Sequence, residues 1–217
     1  MPVLSLSTES DAYKASREAL TEAELALRDQ RERVAELRRA LPADTVVADE
    51  TFVEWRDGAR HEVALSSLFD DPDLPLVMLH FMYGADESVC PMCAMWADGY
   101  NAVMRHLKEK CNFVVLIAGD PERFAAVARA RSWDNLRILS AGASSVKRDL
   151  GLEDADGRQS PGVSVYTRTV AGELVHNYSQ SAIVTPDEYR GMDLLSPVWH
   201  FFDLLPGGRG EWFPSNA

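Results

Sequence analysis

Cys90-Pro91-Met92-Cys93 is the segment of this sequence best equipped for chemistry, and it contains two of the three cysteines. A C-x-x-C pair can exchange a disulfide or supply half of a four-ligand zinc site. The chain has no second C-x-x-C and no H-x-x-x-H, so one copy does not complete a zinc tetrahedron. Exchange needs a thiolate, and the start of a helix provides one. Free N–H groups and the helix dipole there lower a cysteine pKa from about 8.5 into a range of about 3.5–7.5. Leu76 to Met82 reads as a buried strand and Tyr83 to Val89 as a loop, which puts Cys90 at the first turn of the next helix. Pro91 suits the first helical position, where no N–H is required. Cys93 follows one turn later on the same side and can reach back to close a disulfide. Cys90 is therefore the expected attacking thiol and Cys93 the resolving thiol. Cys111 opens another buried strand and reads as a packed apolar residue.

The elements that must hold this pair are legible in the pattern of the chain. Residues 10–41 predict a long helix, capped by Ser10 and stopped by Pro42. Within it Leu20, Ala23, Leu27, Gln30, Val34, Leu37 and Leu41 alternate three-and-four spacings, as in a heptad seam. Such a helix either lies on its own globular domain or pairs with a second copy as a homodimer through residues 20–41. The division expected is 1–42 as an N-terminal helix and 43–217 as the main domain with a C-terminal extension. Asp57-Gly58, between Thr51–Trp55 and His61–Leu65, predicts a β-hairpin. Beyond it, strand and helix alternate. Leu76–Met82 and Phe113–Ala118 read as strands, Pro91–Lys110 and Pro121–Arg131 as helices, and Arg137–Leu139 as a short strand. Gly162–Arg168 and Glu173–Tyr178 form a second hairpin, and a short helix is expected near Pro186 to Met192. A β-α-β unit followed by a hairpin implies an α/β fold, with a mixed central sheet flanked by helices.

Composition narrows the function classes. The chain has 217 residues, 46% hydrophobic and 26% charged, enough for one packed core and an appendage. A net charge of -12 lacks the basic footprint of a nucleic-acid binder and is repelled by anionic membranes. No apolar run approaches the roughly 20 residues needed to span a bilayer. The start, Met-Pro-Val-Leu-Ser-Leu-Ser, does not read as a secretory signal. The expectation is a cytoplasmic protein whose partners are protein or small-molecule thiols and disulfides, with neither nucleic acid nor membrane among them. No cofactor and no metal ligand is assigned.

Strand, Cys-Pro-x-Cys, helix and a proline before a late hairpin strand resemble the thioredoxin superfamily, in the glutaredoxin order of residues. A narrower resemblance is to the bacterial thioredoxin-like family catalogued as domain of unknown function 899. It is carried by His80-Phe81-Met82-Tyr83-Gly84, by Cys90-Pro91-Met92-Cys93 with Trp96-Ala97-Asp98-Gly99, and by Tyr189-Arg190-Gly191-Met192-Asp193. Phe202-Asp203-Leu204-Leu205-Pro206 with Gly208-Arg209 completes it, so the match covers residues 20–212. The resemblance implies a thioredoxin-like fold with the long N-terminal helix and the β-hairpin as extensions. It also implies that Pro161, in Ser160-Pro161-Gly162-Val163, is the cis-proline that faces the dithiol. His80 stands where thioredoxins bury an acid. It is expected either to relay the Cys93 proton or to be a core histidine with one hydrogen bond. Thioredoxin-fold peroxidases resemble Val89-Cys90-Pro91 but need Pro and Thr where this chain has Tyr83 and Glu87. Copper-delivery members of the superfamily suggest a soft site in which His176 or His200 joins Cys90, Cys93 or Met92, although they usually place three residues between their cysteines. The activity expected is dithiol–disulfide exchange through a mixed disulfide. Copper(I) binding, redox sensing and thiol-dependent peroxidase activity are the alternatives.

Overall fold

Ser10 starts the first helix: its Oγ accepts the Tyr13 N–H at 3.1 Å, satisfying a donor that the helix itself cannot. This helix, α1, runs Asp11–Arg39. The structure is a computed structural model that describes residues 6–182, 196–208 and 210–216. The chain divides into two compact units, Met1–Pro42 and Ala43–Ala217. No residue of α1 is buried, and Leu20, Leu27 and Leu37 are exposed.

The second unit is built on one eight-stranded mixed sheet. In chain order it comprises β1 (Thr45–Val46), β2 (Thr51–Arg56), β3 (Ala59–Ala64), a 3-10 turn (Leu65–Leu68) and β4 (Leu76–His80). Next come α2 (Pro91–Leu107), β5 (Asn112–Ile117), α3 (Pro121–Ala130), β6 (Ile138–Ser140) and α4 (Val146–Asp149). β7 (Gly162–Arg168), β8 (Leu174–Ser181) and α5 (Val198–Phe202) follow. The strand order is β1-β8-β7-β4-β5-β6-β2-β3. β4, β5 and β6 are parallel, and the remaining pairs are antiparallel.

The central strands are nearly continuous apolar runs because both faces of the sheet are covered. Leu79 and Phe81 point to a core shared with Cys93, Trp96, Phe124 and Trp133. Leu76 and Met78 point to the opposite core, with Phe52, Leu65, Leu68 and Tyr166. The first hairpin turns at Asp57 and Gly58, both with positive φ (54° and 76°), which is the turn that matches strand twist. β2 then pairs with β6, joining the hairpin to the edge of the parallel strands.

The elements differ from the sequence expectations mainly at their ends. α2 stops at Leu107, and the third parallel strand lies one residue later than Arg137–Leu139. Three short elements, β1, α4 and α5, were not anticipated. The helix expected near Pro186 and the Tyr189–Asp193 motif lie outside the described residues.

Candidate dithiol site

Cys90 is the N-cap of α2 and Pro91 its first residue, so Cys93 occupies the third helical position. The N–H of an N3 residue is the one an N-cap side chain ordinarily satisfies. Here the Cys93 backbone N–H donates to Cys90 Sγ at 3.5 Å. The Cys93 thiol donates to the same sulfur, and with the Cys93 and Met92 backbone N–H groups it outweighs burial. Together they hold the Cys90 thiol down to about 6, from an ordinary 9.0. Cys93 is shifted the other way. It is fully buried, and loss of solvation together with the neighbouring Cys90 sulfur pushes its thiol well above the ordinary value. Cys90 is half-buried, and both cysteines are free thiols.

The loop before Cys90 is held from below. Ala118 and Gly119 both donate backbone N–H groups to the Tyr83 carbonyl, at 3.0 and 2.8 Å. A Cβ on Gly119 would stand 2.7 Å from the Gly84 oxygen and from the Tyr83 ring, so only glycine permits this approach. Glu87, at φ 57°, receives Arg123 at 2.7 Å, and Asn216 donates to the Val89 carbonyl at 2.6 Å. The threonine position of the peroxidase motif is thus filled by a carboxylate tied to an arginine. An open cleft of about 540 Å³ lies over Cys90. Met82, Gly84, Asp86 and Ser88 line one side, and Asp156, Gly157, Arg158 and Gln159 the other. The 156–159 wall was not anticipated, because nothing in a short polar loop marks it as facing a thiol more than 60 residues earlier.

Pro161 requires a correction. There is no cis peptide bond among the described residues, so Ser160–Pro161 is trans. The segment is extended on both sides: the Ser160 N–H donates to the Leu152 carbonyl at 2.8 Å, and the Pro161 carbonyl accepts from Ala182 at 2.9 Å. A trans bond continues that extended path straight into β7, and X–Pro bonds favour trans by about 0.5–1 kcal/mol. The docking of a substrate backbone on a cis-proline therefore loses its support. Pro161 itself is buried at the head of β7.

His80 is fully buried, with its Nε2 2.8 Å from the Ser164 Oγ. Burial and then the nearby Lys147 push its pKa well below 6.5, so the imidazole is neutral. Strand alternation puts its side chain with Leu76 and Met78, on the sheet face opposite Cys93. Lys147, on α4, is 1% exposed, and its Nζ donates to the Phe81 carbonyl at 3.4 Å. Sequence reasoning missed it, since neither a charged side chain nor a four-residue helix carries a pattern that signals burial.

The remaining candidates lie elsewhere. Cys111 sits at the amino end of β5, the far end of the parallel strands from the dithiol. It is half-buried, with its thiol donating to Leu107, and burial raises its pKa. His176 pairs with Tyr166, which pairs with Leu76, at the end of β4 remote from Cys90. No group of three or more His, Cys, Asp or Glu side chains that could hold a metal ion assembles among the described residues. Trp96 is core. Asp98 accepts the Trp133 indole N–H at 2.7 Å and pairs with Arg131 at 2.9 Å, fastening α2 to the end of α3.

A family model described as "Bacterial protein of unknown function (DUF899)" matches residues 4–216. The chain belongs to the DUF899 family. No curated protein matches it. Among solved structures, a Burkholderia cenocepacia protein provisionally described as a thioredoxin reductase aligns with TM-score 0.50 and 15% identity, over 71% of this chain and 96% of that one. The mitochondrial 2-Cys peroxiredoxin of Plasmodium falciparum aligns with TM-score 0.49 and 13% identity, over 80% and 100%. Peroxidoxin BcpB of Mycobacterium tuberculosis aligns with 0.48 and 18%, over 71% and 93%. At 15% identity the likeness to the Burkholderia protein shows the fold alone, and this DUF899 protein has a thioredoxin-like α/β fold with a long N-terminal helix. Among its described residues no helix is long and apolar enough to cross a membrane.

Proposed function

We propose that this DUF899 protein is a dithiol–disulfide oxidoreductase working through Cys90 and Cys93. The observation that carries the reading is the opposed state of the two thiols. Cys90 is held down to about 6 at a helix N-cap, while Cys93, one turn on, is buried and held as a thiol. At neutral pH this supplies one nucleophile and one reserve. The Cys90 thiolate attacks a disulfide R–S–S–R′, forming Cys90–S–S–R and expelling R′–S⁻, which takes a proton from water. Cys93 then gives up its proton and attacks the Cys90 sulfur. The Cys90–Cys93 disulfide forms, and R–S⁻ leaves to be protonated. Two electrons pass from the dithiol to the substrate. The reverse sequence oxidises a substrate dithiol.

The cleft over Cys90 is open enough to admit an extended peptide or a glutathione-sized disulfide. Incubating Cys93→Ser with oxidised glutathione tests the reading. One glutathione should be retained on Cys90, whereas the wild-type chain should release it and close its own disulfide. Absence of an adduct on Cys90, or a wild-type adduct that never resolves, would overturn the proposal. Consumption of hydrogen peroxide by the same protein, without any reaction with disulfides, would favour the peroxidase reading instead.

A further inference from the structure

Buried lysines are costly to fold, and Lys147 has no evident reason to be inside. It is 1% exposed, and its Nζ reaches a single carbonyl, that of Phe81, at 3.4 Å. It makes no ion pair among the described residues. The charged and titratable groups facing it come from three places. Cys93 lies on α2, His80 on β4, and Glu153 on the segment after α4. Glu153 is already paired with Arg148 at 3.5 Å. His80 is neutral and bonded to Ser164. That leaves the Cys93 sulfur as the group able to become this ammonium's counter-ion.

The Phe81–Met82 peptide connects the two. Its carbonyl receives the Lys147 ammonium, and its N–H donates to the Cys93 sulfur. An ammonium on the oxygen of an amide draws electron density from the nitrogen and makes the N–H a stronger donor. A negative charge forming on Cys93 is thus met by a polarised N–H and, behind it, by a buried cation.

We infer that Lys147 is a positioning residue for the resolving step: through the Phe81–Met82 peptide and its own charge it stabilises the Cys93 thiolate in the mixed disulfide. The inference rests on the exchange chemistry proposed above. In that state Cys90 is bonded to R and carries no charge. The Cys93 thiol loses its proton, its sulfur attacks the Cys90 sulfur, the Cys90–S–R bond breaks, and the proton ends on the departing thiolate as R–SH. Lys147 neither gains nor loses a proton in the net reaction. Burial lowers its ammonium to about 8, which still leaves it charged at pH 7. A buried cation that makes no close ion pair, with the Glu153 carboxylate acting on it only from beyond 4 Å, is a standing cost that becomes a stabilising pair during this step.

Dithionitrobenzoate separates the two halves of the reaction. In a Cys111→Ser background, attack by Cys90 releases one thionitrobenzoate and resolution by Cys93 releases a second. Failure of the first release in the lysine-containing protein would sink the exchange reading itself. Given both releases, Lys147→Met should slow the second at least roughly tenfold at pH 7 and move its pH midpoint upward, with the first within about threefold of the parent. Lys147→Arg should keep the midpoint of the parent. Equal second-phase rates in folded Lys147→Met and the parent, or equal slowing of both phases, would overturn the inference. Should the lysine variants not fold, the parent decides. There the Lys147 ammonium and the Cys93 thiol should titrate as a coupled pair, and a Lys147 midpoint, followed by NMR, that Cys93→Ser leaves unchanged would exclude the role.

Discussion

Cys90 and Cys93 are three positions apart in sequence, but one is half-buried and the other fully buried, and that difference sets their chemistry. A thiolate at an N-cap replaces hydrogen bonds to water with backbone N–H groups that the helix leaves free. A thiol one turn inward has the Met82 N–H alone, and that does not outweigh its burial. Iodoacetamide near pH 6 should therefore label Cys90 first. Its rate should rise with a midpoint of about 6, with Cys93 and Cys111 slower. Preferential labelling of Cys93, read by peptide mass, would contradict the assignment of roles. Lys147 gives a stability prediction of the opposite sense to its proposed use. A base whose folded pKa is depressed from 10.5 to about 8 costs stability in full below about 8, and the cost fades as pH rises toward 10.5. The depression corresponds to about 3 kcal/mol, offset in a methionine variant by about 1–2 kcal/mol for the lost bond to the Phe81 carbonyl. Lys147→Met should accordingly raise the Tm of the reduced protein at pH 7, by an increment that shrinks by pH 10. A lower Tm at pH 7 would mean that the lysine is a structural fastening. None of this could be read from the chain, because a lysine next to Val146 and Arg148 reads as surface. The dithiol itself was legible, since Cys-Pro-x-Cys after an apolar run has few other uses.

At the scale of elements, the site depends on how closely the loop after β4 can approach the loop after β5. Gly119 makes that approach possible, and Gly99 offers a comparison within α2. An added Cβ at Gly119 would stand 2.7 Å from backbone oxygen and from the Tyr83 ring, whereas one at Gly99 meets nothing within 4 Å. Gly119→Ala should lower stability by about 2 kcal/mol and slow Cys90 labelling as the 83–89 loop shifts. Gly99→Ala, at a helix-interior position, should raise stability by about 0.5–1 kcal/mol and leave labelling unchanged. Thermal melts and labelling rates measured on both variants check the pair, and equal effects would show that the approach at Gly119 is not constrained. The larger elements were legible for physical reasons. β4 and β5 announced themselves by apolar runs, the first hairpin by Asp57-Gly58, and α3 by an Asp cap followed by Pro121. β1 and α4 were illegible because two to four residues contain no period. The trans Ser160–Pro161 bond was mistaken for cis because the order of elements, borrowed from a superfamily, says nothing about how the chain enters β7.

At the scale of the whole molecule, α1 poses the remaining question. Its seam runs Leu20, Ala23, Leu27, Gln30, Val34 and Leu37, with Leu41 falling just past the helix end at Arg39, and the leucines are 47–63% exposed. A strict alternation of three and four keeps a narrow apolar stripe on one side of the helix, the arrangement a second helix of the same kind covers. Arg17 bonds both Thr21 and Glu24 along its own helix, so part of the polar surface is already paired within α1. Apolar area left in water is unfavourable by roughly 25 cal/mol per Å², and a parallel pair of such helices removes it symmetrically. We expect the full chain to run as a homodimer of the 24.1 kDa protomer in light scattering, and Leu27→Glu or removal of residues 1–42 to give a monomer. The dithiol titration of the monomer should match that of the dimer, since every group that sets it belongs to one copy of the Ala43–Ala217 unit. A monomeric full chain would leave the leucine seam without a second copy. A dimer that survives loss of residues 1–42 would move the interface onto the thioredoxin-like unit.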